Sequence, residues 1–121
     1  MPGFTTHYLF GVDACRRLTS TSMHNMIRRD HSAYALGLQG PDLFFYYLPS
    51  YLMHRKNIGD LAHRKDTGQF FGNLLQSRKL FAGKKHSLSI ADAYICGFMG
   101  HYTLDCTIHP YVCLLYTSDA A

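Results

Sequence analysis

The sequence predicts an all-α fold, a helical bundle, on three observations. Apolar residues recur at helical spacing through Thr67–Phe81, where Phe70, Phe71, Leu74 and Leu75 fall at i, i+3 and i+4. A second long stretch opens with Ser89-Ile90-Ala91-Asp92, which resembles a capping box, and continues to about His109 before Pro110. The only strand-like run, Leu43 to Leu48, has no alternating partner, so it reads as a short buried helix leading to Pro49.

The remaining elements follow in order. A first helix is expected from about His7 to Leu18, its stripe supplied by Leu9, Phe10, Val12, Ala14 and Cys15. Thr19-Ser20-Thr21-Ser22 breaks the chain and offers N-cap hydroxyls to a helix over about Met23 to Leu38. Gly37-Leu38-Gln39-Gly40-Pro41-Asp42 stops that helix, because glycine and proline disfavour its continuation. Gly83-Lys84-Lys85-His86 forms a polar loop. Nothing repeats and no low-complexity linker intervenes, so residues 1–112 are expected to form one domain.

Composition limits what the chain can be. A protein of 121 residues, 47% hydrophobic and with nine Tyr and eight Phe, has material for a true core, burying roughly 65% of its unfolded surface. All eight acidic residues are Asp, so any chemistry that needs Glu must find it elsewhere. The net charge of +4 comes from scattered pairs such as Arg16-Arg17, Arg28-Arg29 and Lys84-Lys85, which read as solvated helix faces. Cys15, Cys96, Cys106 and Cys113 lack C-x-x-C spacing, which argues against a zinc ribbon or a redox pair and predicts small buried thiols in a reducing compartment. No stretch is long enough to span a membrane, and the first residues carry no basic or apolar secretion-signal regions. A cytoplasmic protein is therefore expected.

The last nine residues, Cys113 to Ala121, resemble the in-frame translation of a transposon adapter used in library preparation. Residues 113–121 are accordingly expected to be a non-native tail, and the helical domain to be truncated near Val112.

The strongest chemical signal is Gly100-His101-Tyr102-Thr103-Leu104-Asp105-Cys106-Thr107-Ile108-His109-Pro110. Residues four apart on a helix differ by about 40° in azimuth, so His101, Asp105 and His109 share one face within about 80°. Followed backwards, that face contains Gly97, Tyr94, Ala93 and Ile90, its apolar side. Three polar groups turned inward must be compensated, either by one another and the backbone or by a metal ion. Zinc accepts both imidazole nitrogen and carboxylate oxygen, and Asp can bridge two ions. Further candidate ligands are His7 on the first helix, Asp42 after the Gly-Pro turn, and His54 and His63 flanking a charged loop; singly, each is also an ordinary surface or capping residue.

The order His7, Gly40-Pro41-Asp42, His63 and His101-x3-Asp105-x3-His109 resembles the bacterial zinc-dependent phospholipase C family across nearly all of residues 1–112. The resemblance implies helices around two or three zinc ions and hydrolysis of phosphodiester bonds in phospholipid head groups, with transient contact at a membrane surface. It assigns His101 and Asp105 to the central ions, Asp105 bridging; Asp42 and His63 complete one of those sites, with His54 in reserve for His63. His7 serves a third ion, and His109 holds an ion whose other ligands lie downstream. Asp42 is the implied general base and would take a proton from zinc-activated water. Two features depart from the family: no Trp supplies an N-terminal ligand, and no Glu supplies the expected His-x3-Glu pair, so the chain alone is expected to be incomplete and inactive.

Two alternatives stand beside this reading. A single-strand nuclease has a similar three-zinc architecture and would bind nucleic acid through aromatic stacking and a basic groove. A non-catalytic helical binding domain would use the same His and Asp residues only to satisfy one another. A histidine-aspartate phosphohydrolase is disfavoured, since no His-Asp dipeptide occurs.

Overall fold

The computed structural model describes residues 3–42 and 67–120. Among these, the structure is all-α and contains no strand. The described residues contain five α-helices, α1 (Phe4–Arg16), α2 (Thr21–Arg29), α3 (His31–Gln39), α4 (Thr67–Gln76) and α5 (Lys85–Ala120), with a 3-10 segment (Ser77–Phe81) joining α4 towards α5.

Several boundaries differ from the sequence expectation, each for a local reason. The helix expected over Met23 to Leu38 is two helices, broken at Asp30 (φ −107°, ψ 43°). Asp30 is held there by Ser89, whose hydroxyl donates to its carboxylate, while Arg29 reaches both residues. Ser89 thus lies inside α5 and ties it to the α2–α3 junction; the helix itself starts four residues earlier, at Lys85. Nor does Pro110 end α5. A proline inside a helix leaves the carbonyl four residues back, that of Cys106, without its usual N–H donor. As expected, the Ser20 side chain caps α2 by accepting from the Met23 N–H at 3.4 Å.

The core lies where α3 crosses α5, with α1 packed against both. Glycines allow this approach. A Cβ on Gly37 would strike the Tyr94 carbonyl of α5, and one on Gly97 would strike the Tyr34 carbonyl of α3, so the two backbones touch where both helices lack side chains. Leu38 fills the space beside Gly11 and Gly100. Ile27, Tyr34, Leu38 and Ala93 form the buried cluster, and the half-buried Cys15 and Cys96 pack on it. Cys106 departs from the expected buried thiol and is exposed. Tyr34 donates its buried hydroxyl to the Gly11 carbonyl of α1 at 2.8 Å, and burial pushes its pKa up to about 12.

Also against α5, α4 brings Phe70 and Phe71 to within 5.4 and 5.7 Å, ring to ring, of Phe98, and Phe71 to 5.4 Å from Tyr102. Arg78 makes a two-pronged contact with Asp92, fastening the 3-10 segment to α5. No helix among the described residues is long and apolar enough to cross a membrane.

Candidate metal centre

One end of the core carries a cluster of buried polar groups. His7 of α1 and His101 of α5 have no exposure to solvent, and their imidazoles stack with centroids 4.0 Å apart and planes 18° from parallel. The carboxylate of Asp105, one turn along α5, faces both rings: Oδ1 lies 3.3 Å from His7 Nε2 and Oδ2 lies 3.1 Å from His101 Nε2. Ligand atoms of His7, His101 and Asp105 all fall within 4.8 Å of one another. Asp42 closes the group from the end of α3, its oxygens 3.9 Å from His7 Nε2 and 3.8 Å from His101 Nε2.

Local structure explains how these residues meet. α3 ends in a 3-10 turn over residues 40–42, which brings Asp42 back towards α5. Gly40 has φ 55° and ψ −143°, a conformation that residues with a side chain rarely adopt. A Cβ there would also lie 2.5 Å from His101 Cγ and Cδ2, so the ring rests directly on the turn. His101 Nδ1 donates to the Leu38 carbonyl at 2.9 Å. Its other nitrogen, Nε2, consequently faces the two carboxylates.

The charges in this small volume are mutually dependent. Burial opposes charge on His101, but Asp105 against its Nε2, Asp42 nearby and the Leu38 carbonyl outweigh that and raise its pKa. Burial likewise opposes charge on Asp105, yet His101 and His7 overcome it and hold the carboxyl well below the usual carboxylate range. The arrangement therefore favours a carboxylate beside positive charge, supplied either by protons on imidazole or by a cation.

A divalent ion fits the donor set. Both nitrogens of His7 are buried without a hydrogen bond, its Nε2 approaching Asp105 without the alignment of one. A buried polar atom left in this state costs about 1–3 kcal/mol unless something compensates it. Two imidazoles and carboxylate oxygen are the ligand types zinc accepts. The Leu38 contact to the far nitrogen of His101 is the outer-shell bond that ligating histidines make.

Compared with protein-family models, curated proteins and solved structures, the chain matches none of them.

Of the residues singled out from sequence, His7, Asp42, His101 and Asp105 come together. His7 lies in one group with His101 and Asp105. His109 does not join them; it is exposed on α5. The drift of about 40° per four residues carries the helix face from His101 through Asp105 towards solvent. His63, its reserve His54 and the aromatic run Leu43 to Leu48 lie outside the described residues. The contributions of the Leu38 carbonyl and of Gly40 as a support for the ring were not visible from sequence. Backbone groups carry no residue-type signal, and Gly40 stood out only as a helix stop.

Proposed function

We propose that this chain carries the metal-binding core of a zinc-dependent phosphodiester hydrolase of the phospholipase C kind. The carrying observation is the convergence of two stacked, fully buried imidazoles from α1 and α5 on the Asp105 carboxylate, with Asp42 beside them. His7, His101 and Asp105 hold an ion, Asp42 lies close enough to contribute to it, and His63 supplies a further ligand on the strength of the family resemblance. Zinc bound there would lower the pKa of a coordinated water to about 7 and polarise a phosphoryl oxygen. Asp42 is the candidate general base: its carboxylate faces the same space as both imidazoles. A phospholipid is the proposed substrate, reached at a membrane surface, and the cytoplasm the proposed compartment.

The 3.1 Å approach of His101 to Asp105 also favours a second reading, in which the pair is a buried ion pair of a non-catalytic helical domain. Turnover by the zinc-loaded product of the complete gene separates the possibilities. Release of a phosphorylated head group from phosphatidylcholine, lost in Asp42→Asn, is the expected result. Cleavage of single-stranded DNA with no action on the lipid would replace the proposal with a nuclease. No zinc uptake and no turnover would leave the structural ion pair.

A further inference from the structure

Three residues within a five-residue stretch at the end of α3 act on one imidazole. Leu38 presents its carbonyl to His101 Nδ1 at 2.9 Å, Gly40 lies against the ring, and Asp42 sets a carboxylate oxygen 3.8 Å from Nε2. We propose that the Leu38–Asp42 segment is a positioning clamp that fixes the tautomer of His101, making Nε2 its ligating nitrogen, and that Gly40 is required for it. The inference rests on the metal-binding reading of the site and specifies how that site is held ready.

The last carbonyls of an α-helix have no N–H partner within the helix, and the negative end of the helix dipole attracts a donor. The Gly40 N–H turns back to the Gly37 carbonyl. The Leu38 carbonyl instead accepts from His101, across to another helix and 63 residues along the chain. A carbonyl can only accept, so this bond requires a hydrogen on Nδ1. In the neutral ring, Nε2 then carries the lone pair and points to the side where Asp105 and Asp42 stand.

Gly40 makes the bond possible. Its φ of 55° turns the chain from α3 into the Pro41-Asp42 turn, and the absence of a Cβ leaves the space that the His101 ring fills. Alanine at this position would strain the backbone and push on Cγ and Cδ2, rotating the ring away from both the carbonyl and the carboxylates. Gly40 is thus a positioning residue: it touches the ligand's ring, not the ion. His7 has no comparable support, since neither of its nitrogens is hydrogen-bonded, so the clamp acts on one of the two imidazoles.

Two measurements test this. In the wild-type chain loaded with 113Cd, long-range 1H–15N correlation of the histidine rings should show His101 with the hydrogen on Nδ1. In the same sample, cadmium coupling should appear at Nε2 of His101. A hydrogen on Nε2, or cadmium coupling at Nδ1, would overturn the clamp while leaving metal binding intact. In Gly40→Ala, cobalt affinity should fall about 10–100-fold, the range seen when outer-shell partners of metal ligands are lost, with a changed visible spectrum. A folded Gly40→Ala chain with wild-type cobalt affinity and spectrum would also refute the clamp. Failure of the wild-type chain to bind either ion would overturn the metal reading and the clamp together.

Discussion

The imidazole of His7 lies face to face with that of His101, 4.0 Å between centroids, although 94 positions separate them in sequence. Two buried rings at that distance with a carboxylate between their Nε2 atoms form an electrostatic problem as much as a packing contact. Three acceptors or lone pairs pointing at one place repel each other unless a proton or a cation stands among them.

Proton and cation should therefore compete for this site. Asp105 has a lowered pKa, so its contribution to stability is present above its unfolded value of about 3.9 and is lost as pH falls. His101 has a raised pKa, so its contribution is present below its unfolded value of about 6.5 and is lost as pH rises through the folded value. The apo protein should gain most from this pair between those two values. Thermal melts in chelator across pH check this: the wild-type advantage over Asp105→Asn should peak at mildly acidic pH, and a flat difference would contradict it.

Metal affinity should run the other way on the alkaline side. His101 must give up its Nε2 proton to ligate, so apparent zinc affinity is expected to rise with pH until it passes the raised His101 pKa, then level off. Competition titration against a chromophoric chelator at several pH values reads this out.

The α3–α5 crossing should tolerate no side chain at its closest point. Gly37→Ala or Gly97→Ala forces a methyl group into a backbone carbonyl of the facing helix. Overpacking of this kind costs about 1–3 kcal/mol, and more where backbone must move. Urea denaturation should show a midpoint loss in both variants, whereas Gly72→Ala, with open space around its Cβ position, should not lose stability.

Tyr34→Phe probes the brace between α1 and α3. It removes the second hydrogen bond to the Gly11 carbonyl and should cost about 0.5–1.5 kcal/mol, the net contribution of one such bond. Because Gly11 lies one turn beyond His7, zinc affinity should fall as well. An unchanged melting temperature would show that water replaces the hydroxyl without loss.

Much of the fold was legible because it depends on side-chain periodicity and breaks. The 3.6-residue pattern located α4, the stretch from Ser89 to His109 marked most of α5 although its capping box does not open that helix, and Ser20 was readable as a cap. The break at Asp30 was not, because it depends on Ser89 from a helix 59 residues away. The continuation of α5 through Pro110 ran against local propensity. At the site, i, i+4 spacing placed His101 and Asp105 on one inward face, and the Gly-Pro turn marked Asp42. The same spacing overextended that face to His109, since four-residue steps drift around a straight helix. The carbonyl of Leu38 had no sequence signature, because every residue has one.

Metal content of the purified full chain tests the central claim most directly. After zinc loading and exhaustive dialysis, elemental analysis should find at least about one zinc per wild-type chain and markedly less in Asp105→Asn, with both proteins folded by circular dichroism. Wild-type protein that is folded but retains no zinc, or an Asp105→Asn variant that retains as much as the wild type, would contradict the account: the stacked histidines would then be held by protons alone.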